Sequence, residues 1–326
     1  MSAQSLFTHP HIGLGCMNVS HAYGMPLEEN QAIEALQAAF EMGYRHFDTA
    51  TLYGGGNNEL LVGKALKDHR NEFFLASKCG MAMVNGKKEI NGRPDNLRKQ
   101  CEDSLKRLQT DHIDLYYLHR LDPNVPIEES AGTLGDLVKE GKIGNVGLSE
   151  VSADTLIRAH VETPIKAIQS EYSLWTRNPE IAVLETCQKL GTTFVAFSPL
   201  ARGFLTGVLK DITELDAKDI RNNMPRFHAE HYPNNLALLN DYLALAKDIG
   251  CTPAQLALAW LRAKDDNIVS IPGTRSVQHM QDNLAATQLT LDAKQIGLLD
   301  EMINQNNVHG TRYTAAQQAE IDTEEF

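Results

Sequence analysis

The chain has 326 residues, 42% of them apolar, with a formal net charge of −12; it has material for a sizeable core and lacks the cationic excess that nucleic acid or an anionic membrane surface calls for. Its cysteines, Cys16, Cys79, Cys101, Cys187 and Cys251, are scattered, never form a Cys-x-x-Cys pair and read as reduced thiols. Residues 1–16 have neither a basic leader nor a continuous apolar run, and the most apolar helical stretch, 254–261, is far shorter than the ~20 residues of a membrane span, so a cytoplasmic protein without a membrane partner is expected.

Short apolar runs alternate with amphipathic stretches, the rhythm of repeated βα units. The first strand is predicted at Ile12–Gly15. A helix follows from about Glu28 to Met42, with Ile33, Leu36 and Phe40 on one face and Gly43 as its stop. Strands are next expected at Arg45–Asp48 and Phe73–Lys78. Pro94, a good first helical residue, then opens a helix whose Leu97, Cys101, Leu105 and Leu108 form one stripe. Further strands fall at Ile113–His119, Asn145–Leu148, Ala167–Gln169, Thr193–Phe197 and Ile268–Ile271. Among the later helices, Ser152 reads as an N-cap, Gly191 as a stop and Thr252-Pro253 as a start. These repeats spell an α/β chain, a (β/α)8 barrel filling residues 1–326 as one domain, and its excess over the ~250 residues typical of that fold leaves room for long loops and a tail. Leu200–Asn235, mixed in charge and broken by Pro225 and Pro233, reads as such a loop above the C-terminal face. After a helix near Asp292–Ile303, the tail from Asn304 is polar and weakly patterned.

Asp48, Tyr53, Lys78 and His119 each lie at or just past the C-terminal end of such a run, where barrel enzymes gather their catalytic groups. A phenol with an unperturbed pKa of about 10 is a poor acid at neutral pH, but a nearby ammonium lowers that value, and Lys78 is the candidate. Asp48 would hold Lys78 charged, His119 would orient a carbonyl or relay a proton, and Tyr53 would be the general acid. Taken singly, each residue is more simply a turn cap, loop packing or a solvated strand end. Their combination at strand ends points to carbonyl reduction. His228-Ala229-Glu230-His231 lacks the spacing of a metal site, so no metal is expected. No G-x-G-x-x-G fingerprint occurs, since Gly13-x-Gly15 is followed by Asn18 and Gly54-x-Gly56 by Glu59.

Phe47-Asp48-Thr49-Ala50, with Tyr53 and Gly54 just beyond and then Lys78 and His119, resembles the aldo-keto reductase family. Ordered matches continue over nearly the whole chain: Gly13-Leu14-Gly15, Gly147-Leu148-Ser149, Gln169 before Tyr172-Ser173-Leu174, Phe197-Ser198-Pro199-Leu200, and Ile271 to Arg275 with Asn283. The wording around Ser149-Glu150 and Gln169 to Arg177 is similar to the microbial and plant reductases of that family. The resemblance implies NADPH-dependent reduction of a small-molecule aldehyde or ketone, with the cofactor lying across the open top of the barrel. It implies the nicotinamide carboxamide against Ser149, Glu150 and Gln169, Cys16 and Met17 beside the cofactor, and a ring stacked from Phe197. It implies the pyrophosphate along Ser198, Pro199, Leu200, Arg202 and Gly203. Gly273, Thr274, Arg275, His279, Asp282 and Asn283 would hold the adenosine 2′-phosphate and adenine, Arg275 by a forked pairing.

Two positions depart from the family's commonest pattern. Phe197 replaces a frequent Tyr but keeps the π face. Glu150 stands where Asn is common and, ionised, can only accept hydrogen bonds, which leaves its role open. The family's C-terminal segment often joins the substrate pocket, which makes Tyr313 a candidate there. A small aldehyde, a sugar-derived carbonyl, a quinone-like compound and pyridoxal all stay open as substrates, as does the oligomeric state. Two other readings stand beside this one. A redox-sensing NADPH-binding protein, like the family's potassium-channel β subunits, is opposed by His119; a Schiff-base aldolase built on Lys78 is opposed by Asp48, which keeps the lysine charged.

Overall fold

The structure, a computed structural model, describes residues 6–7 and 11–326. Strands β1 (Leu14–Gly15), β2 (His46–Asp48) and β3 (Phe74–Cys79) are followed by a two-stranded hairpin, β4 (Met81–Val84) and β5 (Lys87–Ile90), and then by β6 (Ile113–Leu118), β7 (Ile143–Ser149), β8 (Ile165–Glu171), β9 (Thr193–Phe197) and β10 (Ile268–Ile271). Apart from the hairpin, the strands pair in parallel in chain order, and bridges from Ile12 to Ser270 and Gly15 to Gly273 join the last strand to the first. The result is a (β/α)8 barrel. Its helices are α1 (Glu29–Met42), α2 (Asn57–Leu66), α3 (Pro94–Leu108), α4 (Ile127–Lys139), α5 (Ala153–Glu162), α6 (Val183–Leu190), α7 (Tyr232–Ile249), α8 (Pro253–Lys264), α9 (Val277–Ala285), α10 (Ala293–Met302) and α11 (Ala315–Gln318).

Helix ends follow the sequence signals closely. Gly43 closes α1 at φ 110°, where a side chain would be strained, and Ser152 Oγ accepts the Thr155 amide at the start of α5. Thr252 and Gln255 form a reciprocal capping box at α8. Strand lengths are less legible: β7 and β8 begin two residues before Asn145 and Ala167, the expected starts, because strands covered on both faces carry no alternation that marks their limits. The hairpin was not expected, although Asn85-Gly86, at φ 50° and 77°, supplies the two left-handed residues that a tight turn needs.

A large core fills the layer between strands and helices, with Leu36, Phe47, Tyr116, Leu134, Phe194 and Trp260 fully buried. A second cluster of Phe7, Ala76, Leu115, Tyr117, Ala167, Val195, Val269 and Ile271 plugs the barrel interior. Gly147 makes room for the plug, since a Cβ there would lie 2.3 Å from the Tyr117 ring. Below the polar strand ends the barrel is thus dry, and a site can open only at the C-terminal face.

His46 belongs to this apolar region. Its ring stacks 4.4 Å from Phe7, neither ring nitrogen has a hydrogen-bond partner among the described residues, and burial followed by the charge of Lys78 depresses it to a pKa of about 3. Between an ordinary 6.5 and that value the unfolded chain holds a proton that the folded one refuses, so stability falls as pH drops. The slope from this residue should be at most about 1.4 kcal/mol per pH unit. Urea midpoints should hold level above neutrality and decline below it, and His46→Phe should flatten that decline; an identical decline in the variant would remove His46 as its source.

The segment 200–235 is built of short 3-10 turns up to Phe227, and α7 starts at Tyr232. Pro233 therefore sits in the first turn of a helix, where its missing N–H leaves nothing unpaired, and does not break a loop as expected from sequence. The tail is also more ordered than its composition suggests. Asp322 accepts the Ser152 amide at 3.2 Å, Ser152 Oγ at 2.9 Å and Thr155 Oγ1 at 2.6 Å, and Glu324 accepts the Ala153 amide at 2.7 Å. Two carboxylates thus dock the tail on the positive end of α5. Lys88 of the hairpin pairs with Glu320 at 2.5 Å, tying β5 to the tail.

Candidate active site

Asp48 ends β2, Lys78 is the penultimate residue of β3, His119 follows β6 directly, and Tyr53 opens a turn after β2 in which Gly54 and Gly55 take φ 58° and 63°. The barrel brings all four together. Lys78 Nζ donates to Asp48 Oδ1, to the Thr49 carbonyl at 2.9 Å and to the Tyr53 hydroxyl at 3.3 Å, while Gln169 Nε2 donates to the other Asp48 oxygen at 2.8 Å. The His119 ring stands edge-on to Tyr53 with centroids 5.8 Å apart, and its Nδ1 is buried with no partner among the described residues.

Burial sets much of the electrostatics here. It pulls the Lys78 ammonium down, but Asp48 and then Tyr53 facing it carry the net direction above the ordinary lysine value. Burial pushes the Asp48 carboxyl up while Lys78 and Gln169 oppose it; with Nζ held against the carboxylate, the pair stays ionised. For Tyr53 the sequence expectation is corrected: burial raises the phenol above its usual value, and the pull of Lys78 offsets only part of that. His119 is held well below the ordinary imidazole value by burial, then by the charges of Arg120 and Lys78. At neutral pH the site therefore holds a protonated phenol, a neutral imidazole and an ion pair.

Above these groups opens a cavity of about 1070 Å³, with Asp48, Tyr53 and His119 in its wall. Met17, Ser149, Gln169, Phe197, Ser198, Pro199, Leu200, Arg202, Gly203, Gly273, Thr274, Arg275, His279, Asp282 and Asn283, all singled out from sequence, line it as well, as does Tyr313. Cys16 and Glu150 do not. The Cys16 thiol is wholly buried, and Glu150 forms a buried ion pair with Arg312 of the tail and accepts the Glu171 amide at 2.8 Å. Its carboxylate turns away from the cavity because Arg312 is there to receive it.

The cavity wall shows how the sequence builds a cradle. Ser198, Ala201, Arg202 and Gly203 all take positive φ, between 49° and 93°, a concentration of sparsely populated backbone at one loop. Arg202, expected in the loop along the pyrophosphate, is already neutralised: Nη2 donates to Glu171 at 2.7 Å and to the Tyr313 hydroxyl at 3.2 Å. Arg275 differs. It is exposed at the rim, donates only to the Met25 carbonyl at 2.6 Å, and among the described residues no carboxylate pairs with it. At Gly273 a Cβ would lie 2.4 Å from Asn18 Oδ1 and 3.2 Å from the Gly15 carbonyl, so any other residue would have to displace Asn18 from this wall.

Several lining residues were missed from sequence: His21, Tyr23, Leu52, Met81, Lys88, Arg120, Gln317 and Glu320. Most come from loops or the hairpin and leave no pattern, but Arg120 directly follows His119 and was within reach of the strand-end argument. Among the described residues no group of three His, Cys, Asp or Glu is placed to hold a metal, and no helix is long and apolar enough to cross a membrane.

Comparison with known proteins gives concordant matches. The aldo/keto reductase family model matches residues 11–304. A probable aldo-keto reductase of Glycine max is 43% identical over 305 residues, covering 93% of this chain and 88% of that protein. The solved glycerol dehydrogenase of Gluconobacter oxydans superposes with a TM-score of 0.85 at 27% identity, covering 94% of this chain and 96% of that one. An aldo/keto reductase of Klebsiella pneumoniae, solved in complex with NADP and acetate, gives a TM-score of 0.72 at 27% identity, with 94% and 96% covered.

Proposed function

Since the chain belongs to the aldo/keto reductase family, we propose that it reduces an aldehyde or ketone to the alcohol, with NADPH held across the open top of the barrel. The observation that carries this reading is the buried Lys78 ammonium bonded at once to Asp48 and the Tyr53 phenol, both of which line the large cavity. The fit of a dinucleotide rests on the left-handed loop 198–203, the bare backbone at Gly273 and the unpaired guanidinium of Arg275. When bound, NADPH supplies the hydride for the carbonyl carbon.

The chain's own groups manage the proton and the orientation. Tyr53 donates its proton to the carbonyl oxygen as negative charge grows there, and Lys78 beside it stabilises the phenolate left behind. Asp48, held by Gln169, keeps Lys78 charged and aimed. A buried N–H without an acceptor is rarer than a buried acceptor without a donor, which favours the His119 proton on Nε2 over the unpartnered Nδ1. From Nε2 it can hydrogen-bond the substrate carbonyl. Burial keeps the imidazole neutral, so it orients without competing as an acid.

A carbonyl panel with NADPH oxidation as readout, run beside borohydride trapping, tests the reading against a Schiff-base mechanism. Cofactor choice tests the cradle. A charge-assisted contact is worth roughly 1.5 to 3 kcal/mol, or about 10- to 150-fold in dissociation constant. Arg275→Ala should weaken NADPH binding by that factor and leave NADH, which lacks the 2′-phosphate, nearly unchanged. Equal losses for the two cofactors in a fluorescence titration would move Arg275 from phosphate recognition to a structural role.

A further inference from the structure

We propose that the substrate carries an oxyanion, a carboxylate or phosphate near its carbonyl, and that Arg120 is the residue that receives it; this rests on the carbonyl-reductase reading above. Arg120 follows His119 and lines the same cavity. Its Nη1 donates to the His119 carbonyl at 2.7 Å and to Ser149 Oγ at 3.2 Å. Both acceptors are neutral. These bonds fix the guanidinium plane without compensating its charge, and among the described residues Nε and Nη2 make no hydrogen bond.

The other cations around the reacting groups are already matched. Lys78 faces Asp48, Lys88 pairs with Glu320, and Arg202 pairs with Glu171. Asp48 and Glu320, the carboxylates of this part of the wall, are thus each taken by a lysine. Arg120 is left as an uncompensated charge, only part-buried and partly free. Its field reaches the reacting groups, since it lowers the proton affinity of both Tyr53 and His119. A pre-oriented fork is the arrangement that carboxylates and phosphates bind in preference to neutral groups.

The test compares matched substrates: succinic semialdehyde against its methyl ester, and glyceraldehyde phosphate against glyceraldehyde. In at least one pair the anionic member should have a kcat/KM higher by about 10- to 150-fold at low salt, the worth of a charge-assisted contact. The ratio should shrink as salt rises. Arg120→Met should bring it close to unity, mainly through KM of the anion, and Arg120→Lys should recover part of it. The pair that shows the preference identifies the oxyanion. Ratios near unity for both pairs in the wild type, or a ratio that survives Arg120→Met while NADPH affinity falls instead, would overturn the assignment. If no member of either pair oxidises NADPH while the carbonyl panel does, the oxyanion assignment fails; if the panel is inert as well, the reductase reading itself fails, and turnover without preference removes only the role of Arg120.

Discussion

Tyr53→Phe should lose about 100- to 10,000-fold in turnover, the usual worth of a general acid, while binding NADPH almost as tightly as the wild type. The substitution deletes one hydroxyl. The ring stays in place against His119 and His21, with Lys78 Nζ still 4.9 Å from its centroid, so neither the cavity nor the Asp48–Lys78 pair should change. Because burial already keeps the phenol protonated, the loss should appear in the rate of reduction and not as a displaced pH optimum near neutrality. Near-wild-type turnover would remove Tyr53 as the acid.

Lys78→Met should be comparably slow and also fragile. It removes the charge from a pair in which both side chains are nearly inaccessible and leaves Asp48 buried against Gln169 alone. Breaking one partner of a buried pair costs about 3 to 5 kcal/mol, read as a lower denaturation midpoint. Adding Asp48→Asn should restore much of the stability, since no uncompensated charge remains, but none of the rate. The sign of the pH effect follows from the phenol: Lys78 lowers its proton affinity, so without it the alcohol-oxidising direction, which needs phenolate, should move to higher pH. A double variant that recovers both stability and turnover would make Lys78 a structural residue.

The fold was legible because the signals that fix it are local. Gly43, Ser152 and Thr252-Pro253 each do at a helix end what their chemistry predicts. Strand limits were less so, and Pro233 misled because a proline looks the same whether it breaks a loop or starts a helix. That Asp48, Tyr53, Lys78 and His119 would come together was readable from their positions at strand ends. What stayed hidden depends on contacts distant in sequence: Glu150 is claimed by Arg312, and Arg202 by Glu171 and Tyr313. Arg312 and Tyr313 both lie in a polar, weakly patterned tail, which did not reveal these partners. The balance of burial against the Lys78 charge at Tyr53 was likewise beyond sequence, since it requires knowing how much water reaches the phenol.

Hydride transfer is the centre of this account, and isotopic labelling measures it directly. Wild-type protein is mixed with a reducible aldehyde and NADPH bearing deuterium at the transferred position, and the product is analysed by mass spectrometry. The expected product is an alcohol with deuterium on the former carbonyl carbon, formed in step with cofactor oxidation and nearly absent with Tyr53→Phe. Tight NADPH binding with no labelled alcohol from any aldehyde tried would contradict the account and leave a cofactor-sensing protein in its place.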